Sequence, residues 1–252
     1  MKRLFNLPST FIGIIMFFAI WQILSWVVNG PIMPSPFQVL PIFFKLLPGE
    51  LGIHLLASTA RVMAAIILAL VTAVPAGLLL GQMKQIDRVF APLIAILYPI
   101  PKIVFLPVLY ILMGITDISK IFLISIIIFF QILVVVRDEA ANLHPELILS
   151  VRSVGAGRRA LFRYVYLPAS LPSVLTALRV SIGTSVAVLY IAEQSLTTYG
   201  LGYYIVVETY QALLYPEMYA GIMGMGLLGV ALYFIVSALE ARFTPHLATE
   251  ER

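Results

Sequence analysis

Apolar residues along this chain gather into six long runs, at about 11–28, 60–82, 89–113, 118–136, 172–194 and 218–239. A helix needs about 20 apolar residues to cross roughly 30 Å of hydrocarbon, so each run predicts a membrane span. The fourth has a short fully apolar centre, Ile121 to Val136, and must borrow flanking residues. The third is interrupted: "YPIPKIVFLP" places Pro99, Pro101 and Pro107 inside it. Proline removes a helix donor and clashes with the preceding turn, so this span is predicted to be kinked or broken near mid-membrane. Such a break is tolerated only where protein or a water-filled path covers it. Pro75 predicts a kink in the second span. The first run is longer than the 7–15 or so apolar residues of a signal peptide, and no small-x-small cleavage site follows, so it reads as an uncleaved span.

Composition supports this pattern. The chain of 252 residues is 61% hydrophobic and 11% charged, against about 25% charged in soluble domains. The fold class is therefore all-α integral membrane protein with six transmembrane helices. There is no cysteine, which excludes disulfides, thiolate metal sites and cysteine nucleophiles. A net charge of +4 points to no nucleic-acid role by itself. In a membrane protein, basic residues set orientation. Placing both termini in the cytoplasm puts Lys2, Arg3, Lys84, Arg88, Arg137, Arg152, Arg158, Arg159, Arg163, Arg242 and Arg252 inside, with Lys45 and Lys120 outside and Arg61 at the outer mouth of the second span. Residues 29–59 then form a long outer connection that starts stiffly at "MPSP". Residues 195–217 form another, holding the helical apolar pattern "GLGYYIVVETYQALLY".

The longest polar interruption is "RDEAANLHPELILSVRSVGAGRRALFRYVYLPASLP", residues 137–172, with five of the sixteen basic residues. Asn142 or His144 can cap a helix that has Pro145 at its first position. Leu147, Ile148, Val151 and Val154 recur at helical spacing and make one apolar face. Gly155 stops that helix and Gly157 helps turn the chain. A second short helix carries Arg158, Arg159, Leu161, Phe162 and Val165, and Leu167-Pro168 is expected to end it. Two readings stand side by side: a positive-inside loop on anionic lipid, and a docking element for a soluble partner.

The segment "RSVGAGRRALFRYVYLPASLP" resembles the cytoplasmic coupling motif of ABC importer permeases, EAA, three residues, Gly, nine residues, Ile-x-Leu-Pro. Aligned on Leu167-Pro168, the motif glycine is Gly155, the isoleucine position is Val165 and the EAA triplet falls on Leu149-Ser150-Val151. The literal Glu139-Ala140-Ala141 is out of register by about ten residues, and Leu149 stands where the family has glutamate. With "MPSP", "STARV", "PIPKIVFLPVLYILMGITDISK", "LPASLP" and "AEQSLTTYGLGYYI", the chain is similar to the nitrate/sulfonate/taurine/bicarbonate branch.

The resemblance implies a type I importer core and a bacterial inner-membrane location. It implies a second copy of the chain, two cytoplasmic ABC ATPase subunits, an extracytoplasmic solute-binding protein and surrounding lipid. It implies ATP and magnesium in the ATPase partner and no cofactor in this chain. The coupling face would be Leu149, Arg152, Ser153, Gly155, Ala156, Arg158, Arg159, Phe162, Leu167 and Pro168. The whole chain, 1–252, would be one permease domain. Residues 1–59 would hold the first span and outer connection. Residues 60–239 would be a five-helix core including segment 137–171, and 240–252 a cytoplasmic tail. The solute would be a small anion, or alternatively a neutral or cationic vitamin precursor of thiamine-pyrimidine type. A stand-alone secondary carrier is the reading from another class, but mid-membrane polar groups are few and no repeat is visible.

The sequence supports that dependence on a partner. No G-x-x-x-x-G-K-[ST] occurs, so no usual ATP-cradling loop is present. Nor does H-E-x-x-H or G-x-S-x-G, and the three histidines, His54, His144 and His246, all lie outside the apolar runs. Lys102 and Arg179 do lie in runs, where a buried cation is costly and often functional. Each is a candidate for an anion pathway, although Arg179 is close enough to Pro172 to snorkel. Glu193 either lines a gate or hydrogen-bonds the following loop. Ala65, Ala69, Ala73, Gly77 and Gly81 make a smooth stripe for close helix approach, within one subunit or at a dimer seam. Ala220, Gly224, Gly226 and Gly229 carry the same two readings.

Overall fold

The computed structural model describes residues 7–143, 145–153, 155, 157–194 and 196–243. The readings that fall on Lys2, Arg3, His144, Val154, Ala156, His246 and Arg252 lie outside the described residues. Every regular element described is helical: α1 Leu7–Val28, α2 Pro36–Leu46, α3 Glu50–Gln82, α4 Lys84–Leu97, α5 Leu106–Met113, α6 Asp117–Ala141, α7 Pro145–Ser153, α8 Arg158–Leu161, α9 Leu167–Glu193, α10 Leu201–Tyr203 and α11 Tyr215–Phe243. A 3₁₀ turn, Lys102–Phe105, precedes α5, and wide π turns occupy Phe162–Tyr166 and Tyr204–Tyr210. The chain divides into two compact units, Met1–Ala60 with Leu189–Ala231 and Arg61–Val188 with Leu232–Arg252.

Five helical stretches are long and apolar enough to cross a bilayer: Phe11–Val28, α3, α6, Arg159–Glu193 and α11. A sixth candidate is α4 with Lys102–Met113, a pair bent by 85° that is either one broken span or a re-entrant loop. The prolines explain the bend. Pro99 and Pro101 occupy the break itself, where no helix donor is needed. Pro107 sits in the first turn of α5, a position that has no donor to lose.

Three boundaries differ from expectation. The connection read at 29–59 is largely helical. Pro36 starts α2, Gln38 Oε1 accepts the Ser35 N–H at 2.9 Å, and Val39 and Phe43 bury one face. Next, α3 starts at Glu50, ten residues before the apolar run, because its polar residues find buried partners. Finally, Leu167-Pro168 does not end the helix that opens at Arg158. The Leu167 N–H bonds to Phe162 O, a five-residue spacing. That wider turn makes room where the Pro168 ring would otherwise crowd the carbonyl one turn back. The rod then continues unbroken to Glu193.

In the first unit, α1 buries none of its described side chains and is fastened near one end. Trp21 Nε1 donates to Pro34 O at 3.1 Å, Ser25 Oγ donates to Met33 O at 2.9 Å, and the Trp21 ring stacks on Tyr219. Gly224 admits Leu201, Leu51 and Phe43. In the second unit the small-residue stripe of α3 packs against α6 of the same chain. A Cβ on Gly77 would come 2.9 Å from Val136 Cβ, and one on Gly81 would come 2.7 Å from Ala140 Cβ. In lipid, where apolar burial adds little drive, such close approach supplies the dispersion contact that holds helices together. Arg137 of α6 grips Asp87 of α4 through two nitrogens, Nη2 to Oδ2 at 2.8 Å.

Candidate functional site

The polar segment holds two short helices, α7 and α8, with Gly155 between them. Glu146 lies in the first turn of α7 and Arg152 in the last, each favourable to the helix dipole. Gly155 follows with φ +84° and its N–H on Arg152 O at 2.9 Å. This is the left-handed C-terminal stop that glycine adopts at least cost. Then α8 opens with Arg158 and Arg159. Two cations at a helix start oppose the dipole, by about 0.3–1 kcal/mol each, so local helix stability does not select them.

Leu161, Val165 and Tyr166 are buried, while Arg159, Phe162, Arg163, Tyr164, Leu167 and Pro168 are exposed. Leu149 is 62% exposed on α7, beside exposed Arg152 and Ser153. Exposed arginine and aromatic side chains have the composition of protein interfaces. Ala156 and the side chain of Arg158 lie outside the described residues.

A second polar centre lies in the first unit, and the residues that build it are spread along the chain. Glu193 is fully buried at the end of α9. Its Oε2 accepts Ser58 Oγ at 2.7 Å and the Gly202 N–H at 3.1 Å. Ser58 Oγ also accepts the Leu201 N–H at 2.8 Å, and His54 Nδ1 accepts the Gly200 N–H at 3.1 Å. Three successive amides at the start of α10, which no earlier carbonyl serves, are thus held by three side chains. Gly200 has φ +130°, and a Cβ on Gly202 would come 2.7 Å from Glu193 Cβ, so both positions require glycine. His54, Ser58 and Glu208 carry no motif. The available signal was the i, i+4 pair of polar residues just before an apolar run.

Glu50, His54 and Glu208 bring one donor atom each to within 4.8 Å of one another. The set does not fit a metal ion in this arrangement. Nδ1 accepts an amide proton, so Nε2 bears the ring proton; Glu208 Oε2 lies 3.1 Å from it and is a buried oxygen without a hydrogen-bond partner among the described residues. No ring lone pair is left for a cation. The His54 ring lies among those of Tyr199, Tyr203 and Tyr204. Burial pushes the Glu208 carboxyl above its ordinary range, opposed by His54 and reinforced by Glu50.

The other candidate cations are engaged locally. Lys102 Nζ donates to Leu97 O and Tyr98 O at 3.0 Å and to Ile100 O at 3.3 Å, and lies 4.5 Å from the Phe130 ring centroid. It bonds to carbonyls at and beside the break in the span. Arg179 pairs with Glu240 at 2.9 Å, and Thr176 donates to the same carboxylate. Arg61 pairs with Asp117 at 2.7 Å. Lys120, read from the sequence as an outer cation, is 1% exposed.

Residues 73–249 match the family model described as binding-protein-dependent transport system inner membrane component. The taurine transport system permease protein of Escherichia coli strain K12 is 29% identical over 89% of this chain and 84% of its own length. The formylaminopyrimidine transport permease protein of Halalkalibacterium halodurans is 26% identical over 97% and 98%. The nitrate import permease protein of Synechocystis is 26% identical over 94% and 89%. In three dimensions the chain is similar to a structure of the MetNI methionine ABC transporter in an inward-facing conformation. The TM-score is 0.65 at 18% identity, covering 81% of this chain and 99% of that one; the likeness is one of fold. The chain belongs to the inner membrane components of binding-protein-dependent transport systems, the permease subunits of ABC importers.

Proposed function

We propose that this permease is the translocating subunit of an ATP-driven importer for a small anionic solute of the sulfonate, taurine, nitrate or bicarbonate class. The segment of α7, Gly155 and α8 carries the reading, because it exposes Leu149, Arg152, Arg159 and Phe162. Two copies of the chain would each dock one ATPase subunit there, and that partner would hold ATP and magnesium. Because α8 runs through the π turn into α9, a displacement at Arg159 would be carried along one continuous helix into the span. Both termini would be cytoplasmic, residues 60–239 would form the core, and a solute-binding protein would deliver solute from outside. Relatives named for taurine and nitrate support an anionic solute. The relative matched over 97% of this chain is named for a formylaminopyrimidine, which keeps a neutral or cationic vitamin precursor as the second reading.

The test is to express the chain with its genomic neighbours and measure the mass of the solubilised complex. A panel of sulfonates, nitrate, bicarbonate and pyrimidines then goes to the soluble binding protein. Two permeases with two ATPases, and an anion bound, is the expected result. A bound pyrimidine would move the solute class. A chain that purifies without an ATPase, and takes up solute on a proton or sodium gradient, would overturn the importer reading.

A further inference from the structure

We propose that the cleft between the end of α1 and the start of α2 is a phospholipid headgroup site, selective for an ammonium that carries N–H donors, as in phosphatidylethanolamine. The inference needs only that α1 crosses the bilayer. It does not rest on the solute assigned above, nor on which end of α1 faces outward.

Gln22 carries the argument. Its Oε1 is a buried atom with no hydrogen-bond partner among the described residues. Gln22 stands six residues before Val28, the end of the apolar stretch Phe11–Val28, hence about 9 Å inside it at 1.5 Å per residue. An acceptor left bare at that depth is costly. The chain brings polar groups down to the same level. Residues 29–35 fold back along α1, because Ser25 Oγ donates to Met33 O and Trp21 Nε1 donates to Pro34 O. Between them and α2 lies a cleft of about 860 Å³ that Gln22 lines. That volume suits a small ligand and is far more than one water fills.

The lining selects the occupant. Gln22, Ser25, Asn29, Ser35 and Gln38 bring carboxamides and hydroxyls to the cleft, and among the described residues no charged side chain lines it. An anionic headgroup would find no cation to pair with. A zwitterion supplies its own counter-charge. Its phosphate can accept from the carboxamide N–H groups of Asn29 and Gln38, while its ammonium N–H donates to Gln22 Oε1. A choline headgroup has no N–H and would leave that oxygen bare. The acyl chains have a place as well. None of the described side chains of α1 is buried, and Trp26 and Phe37, which line the cleft, are 70% and 78% exposed. Aromatic rings at this level are interface anchors in membranes. A free phosphoethanolamine would gain nothing from those walls, so the occupant is the lipid.

The two tryptophans of the chain, Trp21 and Trp26, both flank the cleft, so intrinsic fluorescence reports on it. The full chain goes into phosphatidylcholine nanodiscs doped with lipids brominated on the acyl chain, which quench tryptophan on contact. The headgroups run from ethanolamine through its monomethyl and dimethyl forms to choline, with phosphatidylglycerol alongside. The ethanolamine lipid should reach half-quenching at about tenfold lower mole fraction than the choline lipid, in line with one hydrogen bond to a charged group. The monomethyl and dimethyl forms still carry an N–H and should keep most of that preference, which collapses at choline. Gln22→Leu should bring all headgroups level. Equal quenching by every headgroup in the parent would overturn the proposal, leaving a cleft filled by water and bulk lipid. So would a stronger effect from phosphatidylglycerol, or a preference that survives Gln22→Leu. The methylation series needs no variant and decides the matter even where Gln22→Leu fails to fold. Neither ATPase nor solute is present, so failure here is distinguishable from failure of the importer reading.

Discussion

Ser58 Oγ donates to Glu193 Oε2 across 2.7 Å although 135 residues separate them. The same hydroxyl accepts the Leu201 N–H, so one side chain serves a buried carboxylate and a helix-start amide together. A hydrogen bond to a charged group contributes about 1.5–3 kcal/mol, and a buried donor left bare costs about 1–3 kcal/mol. Ser58→Ala should therefore lower stability by about 2–3 kcal/mol, read as a drop in unfolding temperature in nanodiscs. A double-mutant cycle with Glu193→Gln should be non-additive. Strict additivity would show that the pair is not coupled.

Gly155 makes a separable prediction. Its φ of +84° strains any L side chain, yet a Cβ there would meet nothing within 4 Å. The penalty is purely conformational, about 1–2 kcal/mol. Gly155→Val should sharply reduce ATPase co-purification while the unfolding temperature of the spans changes little. Gly155→Asn, which tolerates left-handed backbone, should recover most of the binding. Equal loss in both variants would mean that the backbone turn is not what matters.

Close packing of α3 on α6 predicts a contrast between glycines. A methyl on Gly77 would press on Val136 Cβ and on Leu133 O, 3.0 Å away, whereas Gly226 has open space. Overpacking costs about 1–3 kcal/mol, so Gly77→Ala should destabilise. Gly226→Ala should be neutral, or stabilise by about 0.5–1 kcal/mol through helix propensity. Thermal unfolding of the two variants decides it.

Lys102 offers a test of pathway against scaffold. Lys102→Met strips a donor from the carbonyls of Leu97, Tyr98 and Ile100. A scaffold role predicts a lower unfolding temperature and less assembled complex. A role along the solute path would instead raise the KM for uptake at unchanged unfolding temperature, and Lys102→Arg would restore it.

Much of this architecture was legible in the sequence, for a plain reason. Runs of about 20 apolar residues have few alternatives to a spanning helix, and Pro99-Ile100-Pro101 marks a break that no helix can bridge. The glycine stop at Gly155 was legible because the left-handed position has one cheap occupant. What escaped was set by distant partners. The first turns of α3 look too polar to belong to a span, because His54 and Ser58 are matched by amides 146 and 143 residues away. Leu167-Pro168 looks like a helix end, and only the wide turn before it lets the rod continue. Lys102 is a local case: the sequence shows an intramembrane charge but not that the nearby carbonyls of Leu97, Tyr98 and Ile100 accept from it.

The length of α3 sets a condition on the membrane itself. Its 33 residues rise about 50 Å at 1.5 Å each, against a hydrocarbon slab of about 30 Å. Even a tilt of 40°, the top of the usual range, leaves a rise of about 38 Å. Part of the helix must stand clear of the oil. The apolar residues from 60 onward claim the slab, so the turns from Glu50 to Thr59 emerge at headgroup depth. A thicker bilayer would draw those turns, with His54 and Ser58, into hydrocarbon. Bilayer thickness is thereby a variable in this permease's stability, adjustable by acyl-chain length without touching a residue.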